Sequence, residues 1–259
     1  MRPVGELSAQ DVNFRYPAAR TFVVEGWSHT FHPGTVTAMT GASGCGKSTR
    51  LYLLALMTRI TEGQIVLDGQ RVDNLSDPER ARIRASRFGF IFQDAALDAT
   101  RSVLDNVVES CLYRGERPAN ARTRAAELLE RMNVGVPLDR KPGQISGGQA
   151  QRIALARALI GQPDVVFADE PTGNLDAESS DVVLGMLREQ ADQGAAVIIV
   201  THDPGLAQRA DVHLSLSAPS LAIDEDEGAC ATPEHMAASD SITRPVSAVP
   251  AYMSEGNAQ

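Results

Sequence analysis

No stretch of this 259-residue chain is long and apolar enough to cross a bilayer. The longest apolar stretches, Leu51 to Met57 (interrupted only by Tyr52) and Ala195 to Val200, fall far short of the ~20 residues a spanning helix needs. Any work at a membrane therefore requires another subunit. Positive charge is also scarce, with 24 Lys and Arg against 33 Asp and Glu and a net charge of -9. The deficit is concentrated at one end: from Ser217 onward seven carboxylates face a single cation, Arg244. No segment holds the basic excess that coats a duplex, so nucleic acid is not an expected partner. The three cysteines, Cys45, Cys111 and Cys230, are odd in number and scattered, which excludes a disulfide framework or a zinc cluster. The opening residues, Met1 to Val12, contain no apolar core of a secretory signal. The expected location is the cytoplasm.

What is present is enough apolar residue, 43%, for one substantial core. Short β-branched runs alternate with helical patterns, the signature of a mainly parallel sheet covered by helices, an α/β fold. The expected strands are Leu7 to Phe14, Thr35 to Met39, Gln64 to Leu67, Phe88 to Phe92, Val165 to Ala168, Ala196 to Val200 and Val212 to Leu216. From Asp94 to Ile160 helical segments follow one another, at Val103 to Leu112, Ala121 to Met132 and Gly147 to Ile160, with no convincing strand. That stretch predicts a helical lobe inserted into the core, over about 94–160. After Leu216 the composition shifts to Ala, Ser and Pro with the acidic run Asp224 to Glu227. Residues 217–259 are expected to be a disordered acidic tail, because they cannot bury enough apolar surface to offset the entropy of ordering.

The strand ending near Met39 runs into TGASGCGKST and then a helical run. Residues Gly41, Ala42, Ser43, Gly44, Cys45, Gly46, Lys47 and Ser48 match the phosphate-loop pattern, with Thr49 next in the helix. Glycines let backbone N–H groups curl round phosphate oxygens, and the helix behind them points its positive end at the same place. At an effective dielectric near 20, the Lys47 ammonium about 4 Å from one phosphate charge is worth roughly 4 kcal/mol. Ser48 places a hydroxyl where Mg²⁺ would sit. Cys45 is read as a small residue filling a variable loop position. Arg50 stands where an apolar residue would help pack the helix, and it is expected to face solvent.

Far downstream the apolar run Val165 to Ala168 ends in Asp169-Glu170. A carboxylate at the tip of a neighbouring strand is what a phosphate-loop ATPase needs to hold hydrated Mg²⁺, and Asp169 fits. Glu170, one residue on, points elsewhere and can polarise an attacking water. A second anion-binding element follows from Ser146-Gly147-Gly148-Gln149: Ser146 is a good N-cap, and Ile153, Ala156 and Ile160 fall on one helical face. The chain already has one phosphate cradle about a hundred residues earlier. The economical expectation is that Ser146 and Gly148 meet the γ-phosphate of a nucleotide held by another copy.

Here the sequence resembles the ABC ATPase family over roughly residues 7–216. Ile145 to Gln149 look like its signature motif, Gln93 like its Q-loop glutamine, His202 like its switch histidine, Asn174-Leu175-Asp176 like its D-loop and Tyr16 like the aromatic residue that stacks on adenine. The resemblance implies a phosphate-loop NTPase core with an N-terminal antiparallel β-subdomain and an inserted helical subdomain, occupying residues 1–216. It implies ATP and Mg²⁺ as cofactors, with Gln93 sensing the metal, His202 touching the γ-phosphate and Asp176 near the nucleotide. It also implies a second ATPase subunit and a membrane permease as partners, and a place on the inner face of the cell membrane. Within the family the chain looks most like ATPases of lipoprotein-release, macrolide-export and cell-division type. Transport coupling and force transmission without transport are thus the two expectations. Ile145 in place of leucine and Gln149 in place of the usual glutamate are departures from that branch.

Overall fold

The computed structural model describes residues 5–17, 19–173 and 175–217. The expected acidic tail, from residue 218 on, and Asn174 of the expected D-loop lie outside the described residues. A five-stranded sheet runs in the order β6 (Phe88–Ile91), β7 (Val165–Asp169), β8 (Ala196–Val200), β3 (Val36–Gly41) and β9 (Val212–Leu216). Every pairing in it is parallel. Parallel strands need crossovers, and buried crossovers cover both faces, so such strands read as continuous apolar runs. All five residues of β7 and of β8 are buried.

The pleat then divides these strands between two cores. Val166, Ala168, Val197, Ile199, Val36 and Ala38 enter one cluster, with α3 (Val103–Leu112), α4 (Pro118–Arg131), α5 (Gly147–Leu159) and α6 (Ala177–Asp192). Val165, Phe167, Ala196, Ile198, Val200 and Met39 enter the other, with α1 (Lys47–Leu54) and the second sheet. Alternate residues of one strand thus hold helices on one side and a sheet on the other. Fully burying a side chain such as Phe167 in this way contributes about 2–3 kcal/mol.

The second sheet is antiparallel, in the order β2 (Val24–Phe31), β1 (Leu7–Phe14), β4 (Glu62–Leu67) and β5 (Gln70–Arg71). The chain therefore has an α/β fold with a mainly parallel sheet and an antiparallel N-terminal one. Between β6 and β7 lie α3, α4 and α5, with no strand among the described residues. α5 packs closely on β6, where a Cβ on Gly89 would lie 2.6 Å from the Ala158 carbonyl oxygen.

The remaining helices are α2 (Asp77–Arg87) and α7 (Pro204–Arg209). α2 has no apolar stripe; its arginines hold it. Arg80 donates to the carbonyls of Leu56 at 2.7 Å and Thr58 at 3.0 Å, and Arg84 to Leu56 at 2.8 Å, so the chain leaving α1 is gripped from α2. Arg87 at its end pairs with Asp68 of the β4–β5 turn and with Asp164 ahead of β7 at 2.6 Å, tying the two sheets together.

Candidate active site

Because the strands of the main sheet are parallel, the loops leaving β3, β6, β7 and β8 emerge at one edge, where ligands bind in open α/β sheets. A cleft of about 640 Å³ opens there, within the usual range for ligand pockets. Ser43, Gly44, Gly46, Lys47, Ser48 and Thr49 come to it from the phosphate loop, Gln93 from beyond β6, Asp169 and Glu170 from β7, His202 from beyond β8, and Tyr16 from the end of β1. Gly41, Ala42 and Cys45 are not among its lining residues. Their part is in the turn itself: the Cys45 N–H donates to the Ala42 carbonyl at 3.3 Å.

Gly46 is the N-cap of α1 with φ +82°, a left-handed conformation that glycine adopts without strain. The turn presents the first N–H groups of α1 to the cleft, and the helix dipole adds a positive end there. Lys47 Nζ donates to the Gly41 carbonyl at 2.8 Å and to that of Ala42 at 3.0 Å, so its charge lies over the same loop. Tyr16 is 48% exposed, meets Phe14 edge to face at 4.9 Å and shares a 3.2 Å hydrogen bond with the Thr49 hydroxyl. Its ring is held beside the loop and lines the cleft.

Ser48 Oγ donates to Asp169 Oδ1 at 3.2 Å. The opposite oxygen, Oδ2, accepts from the Tyr52 hydroxyl at 3.2 Å. Burial, followed by the charge and hydrogen bond of Asp169, pushes the Tyr52 hydroxyl up to about 12. It is therefore a proton donor throughout the physiological range. Tyr52 went unnoticed in the sequence because it lies 117 residues from its partner. Its one visible signal is a polar-tipped aromatic amid the apolar run of α1.

Arg50 does not face solvent as expected. It is only 6% exposed, its Nη1 donates to the Cys45 carbonyl at 2.7 Å, and its guanidinium lies 5.4 Å from the Trp27 ring centroid. The residue type suggested exposure, but the carbonyl and the indole face supply a partner for a buried cation. Burial lowers its pKa. Cys45 itself is buried at 1% exposure.

Glu170 has φ +48°, a left-handed conformation uncommon outside glycine. Its N–H still pairs with the Val200 carbonyl at 2.9 Å, so the kink falls just past the last ladder bond and turns the side chain away from that of Asp169. Glu170 Oε2 accepts from the His202 backbone N–H at 3.2 Å, and Oε1 lies 3.5 Å from His202 Nε2. Oε1 is buried with no hydrogen-bond partner. Glu170 lines the cleft, and a carboxylate oxygen left without a hydrogen bond is an available acceptor for the proton of a water brought to it.

Ser146, Gly147, Gly148 and Gln149 are not among the lining residues of this cleft. They open α5 in a capping box: Ser146 Oγ accepts from the Gln149 N–H at 3.3 Å, and Gln149 Oε1 accepts from the Ser146 N–H at 2.9 Å. The amide of Gln149 thus does the box work of a carboxylate without its negative charge. Asp176 caps α6, accepting from the Ser179 N–H at 2.7 Å; that bond, then the Ser179 side chain, lowers its pKa. Arg152 of α5 donates to the Ser179 hydroxyl at 2.7 Å, so the openings of α5 and α6 are joined. α5 also reaches the loop carrying Gln93. Gln151 donates to the Phe92 carbonyl at 3.2 Å, and the Arg157 guanidinium to the carbonyls of Ala96 at 2.7 Å and Ala95 at 2.8 Å.

Residues 24–173 match the family model described as ABC transporter. The chain is 45% identical over 199 residues to a lipoprotein-releasing system ATP-binding protein, LolD 1, of Caulobacter vibrioides, covering 76% of this chain and 85% of that one. It is 45% identical over 184 residues to the ABC transporter ATP-binding protein YbbA of Escherichia coli K12, covering 71% and 81%. It is 44% identical over 189 residues to a macrolide export ATP-binding/permease protein, MacB, of Syntrophobacter fumaroxidans, covering 72% of this chain and 26% of that one. Among solved structures, the dimeric bacterial ABC transporter cassette MJ0796 superposes with TM-score 0.77 at 29% identity, covering 82% of this chain and 94% of that one. The same cassette solved with ADP and Pi after hydrolysis gives TM-score 0.76 at 28% identity, covering 83% and 97%. The chain belongs to the ABC transporter family, and is an ATP-binding ATPase of the branch that contains the lipoprotein-release and macrolide-export proteins.

Proposed function

We propose that this chain energises a separate membrane permease, with two copies closing head to tail around ATP so that each nucleotide is bound by both. Tyr16 stacks on the adenine, and the backbone of residues 41–49 with Lys47 holds the phosphates. Ser146 to Gln149 and Asp176 of the second copy complete the site. The observation that carries this reading is the division of the parts: Tyr16, Lys47, Asp169, Glu170 and His202 line one cleft, whereas Ser146 to Gln149 begin a capped helix outside it.

The oxygen donors suit Mg²⁺. Ser48 Oγ and Asp169 Oδ1 are 3.2 Å apart and Gln93 lines the same cleft, so these oxygen-bearing side chains would hold the hydrated ion. Held there, Mg²⁺ would supply positive charge to offset that of the phosphates. Glu170 Oε1 takes the proton of the attacking water, while the His202 N–H holds Oε2 in place and its ring reaches the γ-phosphate. The chain itself sits on the inner face of the cell membrane, docked on the permease. Among the described residues, no helix is long and apolar enough to cross it, so the span must come from the permease.

The test is sedimentation of the Glu170→Gln protein with and without Mg-ATP. A shift from monomer to dimer on adding nucleotide is expected. A monomer under both conditions, with nucleotide bound, overturns the shared-site reading.

A further inference from the structure

Arg50 is a buried cation with no acidic partner. Among the described residues it forms no ion pair with Asp or Glu; its Nη1 is spent on the Cys45 carbonyl, its face on Trp27, and its Nε has no hydrogen-bond partner. A buried charge without a counter-charge is expensive to keep, and in most proteins it is paired. This one lies directly behind the phosphate loop. It does not line the cleft, but the residue after the one it holds, Gly46, does.

The peptide bond joins these two facts. The Cys45 carbonyl and the Gly46 N–H belong to one peptide unit, which is trans, so they point in opposite directions. A guanidinium that grips the oxygen from behind keeps the N–H directed forward. A charge-assisted hydrogen bond also polarises the peptide and strengthens its donor. Gly46 is the position that needs such control: at φ +82° and without a Cβ, nothing of its own side chain limits the peptide's rotation. A Cβ there would lie 3.0 Å from Arg50 Nη1 and 3.0 Å from Val23 Cγ1, so the guanidinium packs against that turn.

We propose that Arg50 is a positioning residue for the polyphosphate: it fixes the Cys45–Gly46 peptide with its N–H toward the cleft, and the charge it buries finds its counter-charge in the bound phosphates. Trp27, from the antiparallel sheet, caps the guanidinium and keeps water from neutralising its effect. The inference rests on the reading of this loop as the phosphate cradle.

The readout is affinity as a function of phosphate number, measured by displacement of a fluorescent ADP from the whole chain by ATP, ADP and AMP. A unit charge one peptide group behind the loop, attenuated by an effective dielectric near 20, shifts polyphosphate affinity by on the order of tenfold. Arg50→Leu is therefore expected to bind ATP and ADP about tenfold more weakly, with AMP within twofold of the parent and a cooperative thermal transition retained. A general loosening of the fold predicts something else, an equal loss for all three nucleotides. Unchanged ATP and ADP affinity, or that equal loss, overturns the proposal. If Arg50→Leu does not fold, Arg50→Gln carries the same comparison, since it keeps a polar side chain at the position but brings no charge. A loss for ADP at least threefold greater than for AMP supports the proposal, and its absence overturns it. Should the parent protein bind none of these nucleotides, the cradle reading itself fails, an outcome distinct from either result with the variants.

Discussion

Replacing Glu170 by glutamine separates two jobs that one carboxylate performs. Glutamine has the same shape, so its carbonyl oxygen can keep the 3.2 Å bond from the His202 N–H. Its amide nitrogen then occupies the place of Oε1, the buried oxygen without a hydrogen-bond partner. That atom can no longer accept a proton. Loss of a positioned base lowers turnover by about 10²- to 10⁴-fold, or roughly 3–5 kcal/mol of transition-state stabilisation. Binding moves the other way. Removing one negative charge about 5 Å from a phosphate relieves at most ~3 kcal/mol of repulsion at an effective dielectric near 20, and less in a cleft open to water. The expected variant therefore binds ATP as tightly as the parent or up to about tenfold more tightly, while releasing phosphate at a hundredth of the rate or less. Steady-state phosphate release and fluorescent-nucleotide titration on the same preparation measure both. Turnover within threefold of the parent would refute the assignment of the base, and weakened ATP binding would refute the electrostatic argument.

Three other outcomes are expected. Tyr52→Phe keeps the ring packed on Phe90 at 5.9 Å but removes the donor to Asp169 Oδ2, so half-maximal turnover should need about three- to tenfold more Mg²⁺, in keeping with a hydrogen bond to a charged group; an unchanged Mg²⁺ titration contradicts this. Gly89→Ala drives a methyl within 2.6 Å of the Ala158 carbonyl oxygen and should destabilise the chain by about 1–3 kcal/mol, read as a lower midpoint in chemical denaturation; an unaltered midpoint contradicts the close packing of β6 on α5. Asp211 accepts from the Val36 N–H at 2.8 Å and pairs with Arg188 at 2.5 Å, and the first of these, then Arg188, lowers its pKa below 3.8. Its contribution is present above that value and lost as pH falls through the lowered one, so Asp211→Ala should cost under about 1 kcal/mol at neutral pH and nothing at the acid end. A cost that persists there contradicts the linkage.

The sequence was most legible where burial on both faces leaves no choice of residue. β7 and β8 are apolar at nearly every position, and their limits differ from expectation by at most one residue. β2 was not foreseen, because Glu25, Gly26, Ser28 and His29 interrupt the apolar alternation and only Val24, Trp27 and Phe31 turn inward. α2 escaped individual notice for a similar reason: arginine-to-carbonyl bonds hold it, and no periodicity records them. In the candidate site, Lys47, Ser48, Asp169 and Glu170 were legible because each closes a contiguous pattern at a strand end, and the structure brings all four to one cleft. The supports behind them were silent. Arg50 looked like a surface residue, and Tyr52 like part of a core, because the partners that give each its meaning arrive only through tertiary contact.

α5 is fastened at both ends of the chemistry. Its opening turn is tethered through Arg152 and Ser179 to the cap of α6, and its body holds the three carbonyls of Phe92, Ala95 and Ala96. The stretch bearing Gln93 is consequently cargo on this helix. A tilt of α5 must either carry that stretch along or rupture hydrogen bonds worth about 1 kcal/mol or more apiece. A displacement of the glycine-rich tip would then be felt at Gln93, on the wall of the cleft.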